Sequence, residues 1–575
     1  MCNLKQKIKS YFQKINFKMT KKDNIIIIEK HHGKKYKIMF TAVVLLLFVC
    51  CCGMFVQHKS KMIIDNVKQI KSYKNIVKST KLSKYVDDNK DRIYGICLDN
   101  KNAINQYYNT IYKEIINTVA QLARQNIITR QDKKAIFKVL KSDNIYEIHD
   151  KIRHLNIDVI NPENLAKKNL LLGLSAELSF LDKKDVYQYL DKAIELNQFE
   201  LNYYLFKAMV LSKNCEFNES NNILLMASSF ATTDSDERLF YKIYSLLGVN
   251  YYTQRDYDNA NLYYTNALIF TDYQGDNNKK FDVLVKLGDI MYEKGNLFEA
   301  TNFYKYALKL DTKHNIKNRT MVLLNLSSVY FNYGDFKQGL KFAEMAEQLA
   351  KSIDHKMFIS NAKLNKCLNY EYLGEYEKAK ANCDGAIAEA QMEEAENIDS
   401  KYDVNVYLGQ VYNYVAFARD HKMSEQTLNT ALLSTKNNPL KRIKVLQKML
   451  SLYSYVNGDG VQKVKDIYDE VSGLCDKYNI KYDCRGDILM GFVYSRLNRD
   501  AKDNMYYKKA LKDNENMKIQ QITLYSYMAD FYAGSKKKLA IEYAKHALEI
   551  AKQVYRYDCH YIKYLEGQVE SIENR

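Results

Sequence analysis

Tryptophan is absent from this 575-residue chain, and only 2 prolines and 20 glycines interrupt it. Breakers this scarce exclude a chain built largely of turns and argue for an almost wholly helical protein, the more so because Leu, Lys, Ala, Glu and Asn are abundant. The length exceeds what one compact core supports, which leaves several domains or an elongated repeat array. The 49 tyrosines carry little functional weight, because a compositional bias that also enriches Ile, Lys and Asn accounts for them.

Catalytic signatures are missing too. The sequence holds no GxxxxGK[ST], no GxGxxG followed by an acidic residue, no HExxH and no GxSxG, so no phosphate-, dinucleotide- or metal-dependent enzyme is indicated and no cofactor is expected. No CxxC occurs among the 11 cysteines, so neither a zinc site nor a regular disulfide framework is indicated. The 10 histidines are dispersed. His149 and His154, five residues apart, diverge on a helix, and a solvated helix face is expected there in place of a metal.

The formal charge of +18 invites a nucleic-acid reading, but its distribution argues against one. Residues 1–37 carry net +9 and residues 57–92 net +6, which leaves +3 for 93–575. The excess flanks one apolar segment, "IMFTAVVLLLFVCCCGMFV", Ile38 to Val56, 19 residues without a charge. At ~1.5 Å per residue that segment matches the hydrocarbon core of a bilayer, and it is expected to be an uncleaved single-pass signal anchor. Six lysines lie close before it and four close after it, which places the N-terminus in the cytoplasm and exports the rest. In residues 4–19, Leu4, Ile8, Phe12, Ile15 and Met19 share a helical face with lysines around it; a basic helix on anionic headgroups and a frayed tail are both open readings. The seven cysteines that follow the span are an awkward odd number for an oxidising compartment, which pulls against export.

Four stretches then repeat one pattern. Leu247-Gly248, Tyr251, Ala260, Tyr264 and Ala267 recur as Leu287-Gly288, Met291, Ala300, Tyr304 and Ala307; the third copy has Ser327, Tyr330, Gly339, Ala343 and Ala346, and the fourth Cys367, Tyr370, Ala379, Cys383 and Ala386. "KGN", "YGD" and "LGE" turns fall in register between the halves, so each unit is a helical hairpin. Gly248 and Ala260, like Gly288 and Ala300, mark where the two helices cross closely, while Tyr264 and Ala267 fill space against neighbouring hairpins. Fainter copies centre on Leu174, Ala208, Gly409, Leu450, Gly491 and Ala529.

The pattern resembles the tetratricopeptide repeat, over roughly residues 165 to 556. Successive Gly248, Gly288, Ser327, Cys367 and Gly409 stand 40, 39, 40 and 42 residues apart, against about 34 in the family, so the helices should be longer. The resemblance implies an all-α, right-handed superhelical solenoid of about ten hairpins with a period of about 40 residues. The expected organisation is a basic cytoplasmic tail at 1–37, the transmembrane helix at 38–56, a juxtamembrane helical linker and cap at 57–160, and the solenoid at 161–575. Asn161-Pro162 and Asn438-Pro439 each place a capping Asn before a Pro at the first helical position.

The resemblance also implies where partners bind. Four residues past the glycine, Tyr252, Tyr292, Phe331 and Glu371 face the concave groove; two before it, Asn325 and Asn365 offer amides to a peptide backbone. The remaining repeat positions, Ala267 and Ala307 among them, are structural. Cys367 and Cys383 could face each other as a disulfide, or stand as small buried residues. The expected function is a membrane-anchored, non-enzymatic scaffold binding a protein or peptide, in a bacterial inner membrane with the solenoid exported. The alternative is a sensory solenoid whose output domain sits on a partner subunit.

Overall fold

A computed structural model describes residues 17–22, 25–30, 101–142, 147–157, 160–230, 237–310, 316–396, 421–435, 438–453, 460–481, 485–497, 505–513, 517–555 and 560–574. The chain divides into two units, Met1–Thr80 and Lys81–Arg575. In the first, β1 (Phe17–Lys22) and β2 (Ile25–Lys30) pair antiparallel, with Met19 opposite Ile28. This corrects the helical reading of residues 4–19 at its C-terminal end. The β-branched run Ile25–Ile28 fits a pleated ladder better than a helix and gives Met19 a cross-strand partner. It is also the exception among the otherwise helical elements of the described residues. The span expected at 38–56 lies outside the described residues, and among the described residues no helix is long and apolar enough to cross a membrane.

The second unit is helical throughout its described length. It opens with α1 (Lys101–Arg124), α2 (Arg130–Leu140) and α3 (Ile148–Arg153). Hairpins follow: α4 (Pro162–Leu178) with α5 (Lys183–Leu196), α6 (Leu201–Lys213) with α7 (Phe217–Phe230), and α8 (Glu237–Thr253) with α9 (Tyr257–Gln274). Next come α10 (Asn277–Glu293) with α11 (Leu297–Lys309), α12 (Ile316–Tyr333) with α13 (Phe336–Ser352), and α14 (Lys356–Tyr372) with α15 (Tyr376–Glu396). After α16 (His421–Ser434) come α17 (Pro439–Tyr453) with α18 (Gly460–Lys477), α19 (Arg485–Leu497) with α20 (Met505–Asp513), α21 (Lys518–Tyr532) with α22 (Lys537–Val554), and α23 (His560–Asn574). Each named pair packs closely, and successive pairs stack along the chain. The copy centred on Gly409 lies outside the described residues.

Both Asn-Pro starts behave as helix caps. Asn161 accepts from the Glu163 and Asn164 amides, and Asn438 from that of Lys441. The turns inside four of the hairpins are equally regular. The amides of Asp256, Asn296, Asp335 and Glu375 each donate to a carbonyl five residues back, at 2.8 to 2.9 Å. The residue before each lies in the left-handed region, Gly295 at φ 74° and Gly334 at 81°, which is why glycine recurs there.

The repeat's glycine has a different partner from the one the spacing suggests. A Cβ on Gly248 would meet the Tyr264 ring at 2.8 Å, one on Gly288 the Tyr304 ring at 2.6 Å, and one on Gly491 the Tyr507 ring at 2.3 Å. The tyrosine of the second helix therefore lies flat on the glycine of the first, within one hairpin. Ala260, Ala267, Ala300 and Ala307 are fully buried beside these pairs. The same pair of positions, sixteen residues apart, holds Cys367 and Cys383, and the structure joins them as a disulfide between α14 and α15. A crosslink closing a loop of that size is worth roughly 3 kcal/mol. Cys215 is also disulfide-bonded, and Cys475 is buried.

Hairpins distant in sequence also meet, so the array coils back on itself. The Lys481 amide donates to the Gln254 carbonyl at 2.8 Å, Gln254 Nε2 to the Asn479 carbonyl at 3.2 Å, and Arg255 Nη2 to Gln447 Oε1 at 3.1 Å. Asn479 Nδ2 reaches Asn218 Oδ1 at 2.7 Å. One hairpin further along, the Gly295 turn abuts Ile519 at the start of α21, and α21–α23 share an apolar core with α9–α12 through Ile522, Ala551, Val554 and Leu565.

Candidate binding groove

Consecutive first helices of the hairpins stand side by side, so residues one repeat apart line up in rows. Tyr252 of α8, Tyr292 of α10 and Asn332 of α12 form one row, and Asn332 Nδ2 donates to the Tyr292 hydroxyl at 2.6 Å. Beside this row is a cavity of about 310 Å³, lined by Tyr252, by Asp289, Tyr292 and Glu293 of α10, by Tyr304 of α11, and by Asn325 and Ser328 of α12. Three of the five residues expected to contact a partner, Tyr252, Tyr292 and Asn325, are thus brought together.

Asp289 organises the floor. Its Oδ1 accepts from the Tyr304 hydroxyl at 2.7 Å and from Asn325 Nδ2 at 3.1 Å, and its Oδ2 lies 3.2 Å from Lys286 Nζ. Since Tyr304 is also the ring that rests on Gly288, the repeat's packing pair fixes the carboxylate. Burial raises the Tyr304 phenol, and the Asp289 charge and hydrogen bond raise it further. Tyr252 is held well above the usual tyrosine range, first by burial and then by the charges of Asp289 and Glu293. Two turns before Asp289 on the same helix, Asp282 is exposed, and Asn318 Nδ2 donates to its Oδ1 at 3.4 Å. Burial pushes it up to about 6, with Asp276 adding to the effect and Lys286 opposing it. Tyr241 beside it is pushed up to about 12, chiefly by burial.

The other two expected contacts lie elsewhere. Phe331 packs into an aromatic cluster at the hairpin turn, its ring centroid 5.7 Å from that of Phe336 and 5.1 Å from that of Tyr372. Asn365 donates to the Leu324 carbonyl at 3.2 Å, joining α14 to α12. Glu371, also expected to face the groove, does not line the cavity. Sequence reasoning missed Asp289, Glu293, Tyr304 and Ser328. A signal existed for two of them: Asp289 and Glu293 fall three before and one after Tyr292, on one face of α10.

His149 is not on a solvated face. It is 8% exposed, with Nδ1 3.1 Å from Ser175 Oγ of α4, and burial lowers its pKa; His154 is exposed. Among the described residues no group of three or more His, Cys, Asp or Glu could hold a metal ion. A larger hollow, about 1060 Å³, lies against α5 with only Asn169 of α4 beside it. A space walled by essentially one helix cannot surround a ligand.

The hairpins, their Gly–Tyr pairs and their stacking make this a tetratricopeptide-like helical array. No protein-family model matches the chain, and no curated protein matches it. Similar solved structures include YrrB, a TPR protein with an unusual peptide-binding site, which is 20% identical over 37% of this chain and 95% of that one, with a TM-score of 0.27. The apo form of the quorum sensor NprR from B. thuringiensis is 19% identical over 64% and 98%, at 0.40. A Rap protein complexed with competence and sporulation factor is 14% identical over 71% and 99%, at 0.42. At these scores they add nothing to the hairpin geometry, which carries the assignment alone.

Proposed function

We propose that the chain is a non-enzymatic scaffold that binds an extended peptide, or a peptide-like segment of a protein, along the first helices of its hairpins. The observation that carries this reading is the cavity between α8, α10 and α12, where Tyr252, Tyr292, Asn325 and Asp289 converge from successive repeats. Aromatic walls supply apolar contact while an amide and a carboxylate fix orientation, the combination expected of a peptide groove. The test is selection of a displayed random peptide library on the full-length chain in non-ionic detergent. Enriched peptides should lose at least about tenfold in affinity against a Tyr292→Ala/Asn325→Ala variant. Failure to enrich any peptide, or enriched peptides that bind the variant equally well, overturns the reading.

We further propose that residues 38–56 anchor the solenoid in a bacterial inner membrane, with residues 57–575 exported. The charge-free 19-residue run and the heavier lysine flank before it support this orientation, and so does the Cys367–Cys383 disulfide, since such bonds persist in oxidising compartments. A reporter active only after export, fused behind Arg575, should be active, and one active only in the cytoplasm silent. The reverse pattern overturns the orientation. A tethered groove meets partners in the same membrane at raised effective concentration.

A further inference from the structure

A positive charge stands against two of the residues that line the cavity between α8, α10 and α12. Lys286 Nζ lies 3.2 Å from Asp289 Oδ2 and 5.5 Å from the centroid of the Tyr252 ring. The two partners of this ion pair are held very differently. The Asp289 side chain is 17% exposed and is fixed by Tyr304 and Asn325, whereas that of Lys286 is 43% exposed on a flexible stem. Glu293 lies one turn beyond Asp289 on the same face of α10, and none of the side chains lining the cavity is cationic. A fixed carboxylate and an aromatic ring lining one cavity, with a second carboxylate beside them, form a receptor for an ammonium or guanidinium group. At about 310 Å³ the cavity has room for one side chain rather than a whole peptide.

We infer that this cavity is the subsite for a cationic group of the bound peptide, a lysine or arginine side chain or a free amino terminus, which displaces the Lys286 ammonium from between Asp289 and the Tyr252 ring. The inference rests on the peptide-groove reading above and adds the ligand's charge to it. Displacement is easy because Lys286 pairs with Asp289 from three residues away on the same helix and is half exposed; such pairs are weak, and the released ammonium returns to water. The incoming group gains what Lys286 has, an aromatic face and a carboxylate, and comes within reach of Glu293 as well. Until then Lys286 acts as a built-in competitor.

The chain has no tryptophan, so a tryptophan-bearing probe can be read without protein background. The probes are two pools of blocked hexapeptides with one fixed Trp, one pool randomised over Lys, Arg and Gly, the other over Asp, Glu and Gly. Binding to the full-length chain in non-ionic detergent is followed by Trp anisotropy. The cationic pool is expected to bind at least about tenfold tighter, with the preference shrinking as salt rises. Asp289→Asn/Glu293→Gln should abolish the preference. Lys286→Met, at a half-exposed position that leaves the packing intact, should tighten the cationic pool several-fold. Equal binding of the two pools, or a cationic pool unaffected or weakened by Lys286→Met, overturns the subsite while leaving the groove reading in place. Binding of neither pool, with the displayed library also failing, overturns both.

Discussion

Replacing Lys213 with methionine is expected to lower the stability of the N-terminal hairpins by about 3–5 kcal/mol, the usual consequence of stranding one partner of a buried ion pair. Lys213 of α6 pairs with Glu177 of α4, and their side chains are 7% and 6% exposed. Among the described residues one other group relieves the carboxylate: the Tyr107 hydroxyl of α1 donates to the same Glu177 oxygen at 3.2 Å. The Lys213 ammonium also lies 5.6 Å from the centroid of the Tyr107 ring. Three helices thus share one buried charge cluster, and burial, followed by the Glu177 charge, drives the Tyr107 phenol well above its usual value. Without the ammonium, the carboxylate stays desolvated with a single neutral donor.

Because neighbouring hairpins in such an array can unfold separately, a single global transition is a poor readout. Hydrogen exchange along α1, α4 and α6 measures the local loss directly. Lys213→Met should accelerate exchange in those helices and leave α21–α22 unchanged. The Glu177→Met/Lys213→Met double variant should recover most of the loss, since two apolar side chains of similar volume leave no stranded charge. A loss below about 1 kcal/mol in the single variant would show that water reaches the pair after all.

How much of this was legible in the sequence depended on distance along the chain. The hairpins could be read because Gly288 and Tyr304, like Gly248 and Tyr264, recur within one repeat, and their turns recur with them. The pairing within each set was harder: a fixed spacing of sixteen is visible, but only the packed helices show that the tyrosine rests on the glycine of its own hairpin. The cysteines at the same two positions were ambiguous for the same reason, since a thiol pair and a pair of small core residues have identical spacing. Contacts between coils left no sequence signal at all. Gln254 meets Asn479 at a separation of 225 residues and Arg255 meets Gln447 at 192, through polar side chains that look like ordinary surface residues. The groove was half legible. Counting four past the glycine found Tyr252 and Tyr292, but the same count led to Phe331, which the turn aromatics draw into their own cluster.

Gly288→Leu should cost about 1–3 kcal/mol through overpacking and abolish peptide binding in the groove as well, because one tyrosine serves both. Even a bare Cβ at 288 would stand 2.6 Å from the Tyr304 ring, and leucine adds three carbons more. The ring has to move. Its hydroxyl then leaves Asp289, the carboxylate loses a donor, and the cavity lined by both residues changes shape. Gly473, inside α18, provides the contrast: a Cβ there meets nothing within 4 Å, so Gly473→Ala should stabilise its helix by up to about 1 kcal/mol through helix propensity alone. Opposite signs for glycines in two helix interiors separate packing from backbone entropy. Tyr304→Ala combined with Gly288→Leu should be less damaging than the two single losses summed, since leucine enters the space the ring vacates. That double variant should recover stability without recovering peptide binding, because the phenol that holds Asp289 is gone. Recovery of both would mean that Tyr304 only fills space, and the link from repeat packing to groove chemistry would fail.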